Sequence, residues 1–158
     1  MPVDRALFFR LMGSFASGVT VITSRGEDGL PRGFTASAFC SLSLDPPLCI
    51  VCVDLRTESL PAIRSTRAFV VNILASDQQE ISQRFAAKAS DKFADLAYRE
   101  GPATGSPVFE GVVAWVECRV RDILEGGDHV VVVGEIQAGD ALDGDPLLYF
   151  RGEYRAFA

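Results

Sequence analysis

Histidine is almost missing from this chain: one residue, His129, in 158. A single imidazole excludes a histidine-rich metal centre or an H-E-x-x-H zinc helix within one chain. A serine triad would have to use His129, and no G-x-S-x-G elbow accompanies it. Neither G-x-G-x-x-G after a strand nor G-x-x-x-x-G-K-[ST] occurs, so both common glycine-rich phosphate cradles are absent. Chemistry that needs several protein acids and bases is poorly supported, and any reaction would have to be carried by a cofactor. Basic charge is also short. Fifteen Lys and Arg against 21 Asp and Glu leave a net charge of −6. No basic stripe is available to displace phosphate counterions, which argues against nucleic acid and against docking on an acidic membrane.

Long apolar runs are lacking too, and none approaches the roughly 20 residues that span a bilayer. The opening "MPVDRALFFRLMG" breaks its apolar residues with Asp4, Arg5 and Arg10, unlike a secretory signal. Of the four cysteines, Cys49 and Cys52 have C-x-x-C spacing, but no second pair accompanies them. Residues three apart on a strand point to opposite faces, so Cys40, Cys49, Cys52 and Cys118 are expected to be buried, reduced thiols. The expectation is one cytoplasmic domain over residues 1–158, long enough to bury about 70% of its unfolded surface.

What is present is mostly β pattern. Asp4 can cap a helix carrying Leu7, Phe8, Leu11, Met12 and Phe15 at helical spacing and closed by Gly18. "VTVIT", Val19–Thr23, then reads as a strand that pairs with Phe34–Leu44 across the turn-rich "RGEDGLPRG". "LCIVCVDL" is apolar on both faces and is expected to be a central strand. "RTESLPAIRST" predicts a short helix with Thr57 as cap, and Ser76-x-x-Gln79 a capping box for the helix holding Ile81 and Phe85. "AFVVNIL", Ala114–Arg121 and "HVVVVGEIQ" are further strands, the last two joined by the "EGGD" turn, while "SDKFADLAYREGPATGSPVFEG" is expected to be a long functional loop. Many short antiparallel strands with helices only at the edges predict a mainly β barrel.

The stretch "RGFTASAFCSLSLDPP" is unusual among these. Phe34, Ala36, Ala38, Cys40, Leu42 and Leu44 alternate with a second face of Thr35, Ser37, Ser41 and Ser43, interrupted only by Phe39. Small hydroxyls on a strand can face solvent, or they can let a planar ring approach the backbone while holding a ring edge or phosphate. Arg84, Lys88 or Lys92 would supply charge to such a phosphate.

The phrases "FFRLMGSFASGVTVIT", "GFTASAFCSLSLDPPL", "AFVVNIL", "FAAKASDKF", "GGDHVVVVGEI" and "PLLYFRGEY" carry a closer likeness. In this order and spacing, from about Phe8 to Tyr154, the chain resembles the flavin reductase-like family. These are small NAD(P)H:flavin oxidoreductases, reductase components of two-component monooxygenases. The resemblance implies an FMN-binding split β-barrel, a Greek-key-like antiparallel barrel with a few short peripheral helices, working as a homodimer. It implies that NADH or NADPH reduces FMN or FAD, and that reduced flavin leaves for a partner monooxygenase. By this likeness Thr35, Ala36, Ser37 and Ala38 would meet the flavin, with Ser41 close by. Asp54, Thr57 and Ser59 would follow its ribityl and phosphate groups, and Phe85, Ala86, Lys92 and Phe93 would form a second contacting segment. His129 in "GGDH" would position the nicotinamide without serving as an obligatory base, and Arg151 and Tyr154 match other nicotinamide-side positions. Trp115 is expected in the core or at the dimer interface. Two rivals stand beside this reading: a flavoprotein of the same fold that keeps FMN and acts on its own small substrate, and a non-catalytic flavin-binding module.

Overall fold

A computed structural model describes residues 2–157, so residues 1 and 158 of the expected domain lie outside the described residues. Twelve strands and three short helices are present among them. In chain order the first half comprises α1 (Arg5–Gly13), β1 (Ser17–Gly18), β2 (Thr20–Arg25), β3 (Pro31–Ala36), β4 (Phe39–Ser43), β5 (Leu48–Asp54) and α2 (Leu60–Thr66). It continues with β6 (Ala68–Ile73), α3 (Gln79–Ala86), β7 (Tyr98–Glu100), β8 (Pro107–Phe109), β9 (Ala114–Gly126), β10 (His129–Ala141), β11 (Leu148–Phe150) and β12 (Glu153–Arg155). The fold is mainly β, as expected.

Seven strands form one antiparallel sheet in the order β3-β2-β6-β9-β10-β5-β4. Its two edges, β3 and β4, are consecutive in the chain and separated only by Ser37 and Ala38. Phe34 and Ala36 from one edge and Phe39 from the other pack against the same core of Ile22, Val51, Phe69, Val71, Cys118 and Val132. The sheet therefore curls until its edges meet over one interior, and the barrel stays split along the β3–β4 seam. At its centre the Phe69 ring lies over Gly134, where a Cβ would stand 2.6 Å from the ring. A glycine is required there because a side chain would expel the largest residue of the interior. A second apolar cluster covers the outside of β2 and β6, with Val21, Val70 and Trp115 beneath Phe85, Phe109 and Leu147.

Several local expectations are corrected. The continuous strand Phe34–Leu44 is broken at Ser37–Ala38, because the chain must turn there from one barrel edge to the other. The break shifts the phase, so Phe39 points inward while Cys40, Leu42 and Leu44 are exposed. Cys40 is thus an exposed thiol and Cys52 is half-buried; only Cys49 and Cys118 are buried, with their sulfurs 3.5 Å apart. The neighbouring Cys49 sulfur and burial push the Cys118 thiol far above the ordinary range, while the same contact lowers the Cys49 thiol. β5 is second from an edge, and its residues alternate between buried and half-buried. Asp4 does cap α1, accepting from Leu7 N at 2.8 Å, but the helix ends at Gly13, before Gly18. Gln78, not Ser76, precedes α3, and its side chain instead accepts from Ala75 N at 2.8 Å and donates to Glu110 O at 2.9 Å. α2 starts after Ser59 with no side-chain cap, so Thr57 does not cap it.

The expected long loop contains the β7–β8 hairpin, held by a buried carboxylate. Glu117 on β9 is fully buried and accepts from Thr104 N at 2.6 Å, Thr104 Oγ1 at 2.7 Å and Ala103 N at 3.1 Å. Asn72 on β6 pins the other strand, accepting from Phe109 N at 2.8 Å and donating to Val21 O at 3.1 Å. Neither polar side chain announced this role: Asn72 sits singly in an apolar strand, and Glu117 shares the alternate positions of β9 with Trp115, Arg119 and Arg121. Removing the carboxylate strands several buried donors at once. Glu117→Ala is expected to cost about 3 kcal/mol, and Glu117→Gln less, by urea unfolding. A loss under about 1 kcal/mol for the alanine variant would show that solvent reaches these donors.

Candidate functional site

The cleft begins where α3 is laid across β3. Gly33 is buried, and a Cβ there would stand 2.9 Å from Phe85 Cε1 and 3.2 Å from Ile22 O. The missing side chain is what lets the Phe85 ring settle on the strand. One residue pair further on, Thr35 Oγ1 donates to Ser82 O at 2.6 Å, tying strand to helix. Ser82 Oγ lies 2.7 Å from Tyr154 Oη, which ties β12 to the same helix. The aromatic wall continues with Phe93, whose ring meets that of Phe85 edge-on at 5.0 Å.

Opposite this wall stands the segment leaving β5. Asp54 accepts from Arg56 N at 2.8 Å and from its guanidinium at 2.9 Å, and Thr57 N donates to Asp54 O at 3.0 Å. These bonds hold the Asp54 carboxyl well below the usual carboxylate range, with the Arg56 side chain as the first cause. The resulting tight turn presents Thr57, Glu58 and Ser59 toward α3. Between the two walls lies a cleft of about 650 Å³.

Eight of the expected residues line that cleft together: Asp54, Thr57 and Ser59 from one side, Thr35, Phe85, Ala86, Lys92 and Phe93 from the other. They come from parts of the sequence up to 58 positions apart. Lys92 is the notable charge among them. Its Nζ donates to Phe85 O at 3.3 Å, and burial lowers its pKa below the ordinary 10.5, against the opposing pull of Glu58. An ammonium held partly out of water, beside hydroxyls and a turn, is suited to an anionic group on the ligand.

The remaining expected residues lie elsewhere. Ala36 packs into the barrel interior, and Ser37 and Ala38 are exposed at the corner between the barrel edges. Ser41 is exposed on β4. His129 is paired with Asp54 across β5 and β10, one strand from the cleft, with Nδ1 2.7 Å from Asp128 Oδ1. Arg151 and Gly152, both with positive φ, form the two-residue turn between β11 and β12. Arg151 and Ser37 line a second cavity of about 1020 Å³ beside α1. Tyr154 reaches the site only through Ser82. Sequence reasoning missed Arg32 and Ser90 as cleft residues, and gave Arg56 and Glu58 no role of their own within the segment Asp54 to Ser59. The run of small hydroxyls drew attention away from Arg32, which immediately precedes it. Arg56 and Glu58 sit inside "DLRTES", between the Asp54, Thr57 and Ser59 that the family likeness names.

The flavin reductase like domain family matches residues 12–158 of the chain. A probable flavin reductase from Rhizobium meliloti is 42% identical over 142 residues, covering 90% of this chain and 45% of that protein. The chain thus spans less than half the length of that relative. A flavin reductase (NADH) from Kitasatospora aureofaciens is also 42% identical, over 96% of this chain and 81% of its own length. The solved structure of nitrilotriacetate monooxygenase component B from Mycobacterium thermoresistibile superposes with a TM-score of 0.94 at 40% identity, covering 98% of this chain and 87% of that one.

The Gly33–Phe85 contact supplies a direct test of how the cleft is built. Gly33→Ala is expected to destabilise the protein by about 1–3 kcal/mol, the usual penalty of overpacking. In a Phe85→Leu background the same change should cost clearly less, measured by urea unfolding of the four proteins. Equal costs in both backgrounds would mean that the ring does not depend on the glycine.

Proposed function

The chain belongs to the flavin reductase-like family, and from that premise we propose that it is an NAD(P)H-dependent flavin reductase. In this reading it releases reduced flavin to a partner monooxygenase. The observation that carries the reading is the cleft itself, where an aromatic wall faces a hydroxyl-bearing turn with the partly desolvated Lys92 between them. A planar ring system with a phosphorylated polyol tail, FMN or FAD, fits this chemistry. When the cofactors are bound, the chemistry they supply is hydride transfer from the nicotinamide to the flavin.

The chain's own residues bind, orient and shield. Thr57 and Ser59 offer hydroxyls to the ribityl and phosphate groups, and Lys92 neutralises phosphate charge. Phe85 and Phe93 exclude water from one side of the ring system, with Thr35 and Ala86 at its margins. Ala36, Ser37, Ala38 and Ser41 belong to the corner and edge strand along which the ring would extend. Holding two planar reactants in register is the main catalytic contribution open to a chain with one histidine. His129 is assigned to the nicotinamide side, oriented by its contact with Asp128, with Arg151 and Tyr154 as further nicotinamide-side residues. No proton relay is required of any of them.

We also propose a homodimer. The outer face of β4, β5, β9 and β10 carries Leu42 and Leu124 exposed and Ile50, Cys52 and Val131 half-buried. The apolar residues of α1 include no buried one, and Phe15 just after it is 80% exposed. Apolar surface on this scale marks an interface. One domain over the whole chain and a cytoplasmic location complete the proposal; no helix among the described residues is long and apolar enough to cross a membrane.

The first test is oxidation of NADH and of NADPH with FMN, FAD, riboflavin or no added flavin. Turnover that requires free flavin and saturates with it is expected. Activity without added flavin would point to a retained group, and none with any pairing would overturn the reductase reading.

Lys92 gives a pH test with a defined sign. Its ammonium is fully charged below its lowered pKa and loses its proton as pH rises through it. FMN affinity should therefore fall at a pH below the ordinary lysine value of 10.5, and more steeply than riboflavin affinity. Lys92→Met should raise the KM for FMN about tenfold, the worth of one charged hydrogen bond, and remove that difference. Unchanged FMN affinity in this variant would take Lys92 out of the phosphate site. His129→Ala should raise the KM for the nicotinamide nucleotide more than that for flavin. For the dimer, sedimentation at micromolar concentration is expected to show two copies, and Leu42→Asp to dissociate them; a monomeric wild type would refute the interface.

A further inference from the structure

Ser82 on α3 is fully buried and bonded on two sides. Its carbonyl accepts from Thr35 Oγ1 on β3 at 2.6 Å, and its hydroxyl lies 2.7 Å from Tyr154 Oη on β12. Phe85 follows three residues later on the same helix face, so the serine sits one turn from the ring that walls the cleft. β12 has few other holds. It is the outer strand of the three-stranded sheet β1-β11-β12, and its backbone pairs with β11 alone. Among the described residues, the Tyr154 hydroxyl makes the one side-chain hydrogen bond from β12 to another element. The Tyr154 ring also meets that of Tyr149 edge-on at 5.2 Å. Tyr149 and Arg151 line the cavity beside α1 together with Ser37, which lies just beyond Thr35 on the chain. Arg151 N donates to Gly13 O at 2.8 Å. The β11–β12 turn is therefore held at two points, by α1 through its backbone and by α3 through the Ser82–Tyr154 pair.

We propose that Ser82 is a positioning residue of the reductase reaction, fixing the Arg151 turn against the flavin wall through the hydroxyl of Tyr154. The inference rests on the flavin reductase reading, in which Phe85 borders the flavin and Arg151 the nicotinamide nucleotide. One buried serine then registers the two sides of the site to each other. Its carbonyl sets the helix on β3, and its hydroxyl sets β12 on the helix. Tyr154 acts by holding the turn, since its hydroxyl is engaged with Ser82. Alignment of two planar reactants is sensitive to such support, because a displacement of about 1 Å caused far from the reacting atoms can lower the rate about 100-fold. Removing either hydroxyl loses one neutral hydrogen bond, worth about fivefold in an equilibrium.

Tyr154→Phe, Ser82→Ala and the double variant test this, with the wild type completing the cycle. Tyr154→Phe keeps the ring and its packing on Tyr149, so it carries the test should Ser82→Ala fold poorly. The first measurement is amide hydrogen exchange over β11 and β12, without flavin or nucleotide. Each single variant should exchange about fivefold faster there, and the double variant no faster than either. The second is steady-state oxidation, at saturating flavin, of the nicotinamide nucleotide that the wild type turns over. kcat should fall about fivefold in each single variant and no further in the double, while the KM for flavin stays within about twofold. The deuterium isotope effect on kcat, with the nucleotide labelled at the transferred position, should rise in all three. Unchanged exchange in Tyr154→Phe would overturn the proposal, as would additive losses in the double variant. So would a raised nucleotide KM in Tyr154→Phe that Ser82→Ala does not share, which would put the tyrosine hydroxyl on the nucleotide itself. Wild-type protein without turnover on any flavin is a failure of the reductase reading, and this inference falls with it. Wild-type turnover with an unaltered kcat in the variants overturns this inference alone.

Discussion

The Phe85 ring rests on β3 at Gly33, the one position of that strand without a side chain, and most of the site depends on this contact. It brings α3 close enough for Thr35 to donate to Ser82 and for Ser82 to meet Tyr154. It also sets Phe93 and Lys92 at the distance from Thr57 and Ser59 that defines the cleft. Behind it, Phe85 belongs to the cluster of Phe109, Val70 and Trp115 on the outside of the barrel. The site wall is thus an extension of the outer core, and it inherits the core's rigidity.

The polar residues buried behind that wall serve it. Glu117 and Asn72 hold the β7–β8 hairpin by its backbone, and the hairpin supplies Phe109 and Tyr98 as support for Phe93. Each buried side-chain donor and acceptor among the described residues has a partner. A loop of that length held this way lends the aromatic wall a fixed support.

Much of the architecture was legible. Alternating or continuous apolar runs marked β5, β6, β9 and β10, and the "EGGD" turn joined the last two as expected. The break within Phe34–Leu44 was not legible, because residues on both sides of Ser37–Ala38 are apolar in alternation and only the meeting of the barrel edges reverses their phase. The β7–β8 hairpin escaped notice because its strands are three residues long and are held by side chains distant in sequence. The half-buried face of β5 read as core because Leu48, Ile50 and Cys52 give it the same apolar composition as the interior face of Cys49, Val51 and Val53.

The sequence by itself determined the mainly β character, through periodicity, and excluded a histidine-rich metal centre within one chain, through the scarcity of histidine. It also carried the segments by which the chain resembles the flavin reductase-like family. Only the tertiary structure decided which of them share one cleft. Thr35, Asp54, Thr57, Ser59, Phe85 and Lys92 come together because the sheet curls and α3 folds back over Gly33. Ser41 and Arg151 are carried away by the same curvature. Local pattern records which face of a strand is apolar, whereas the closure of a barrel is a property of all seven strands at once.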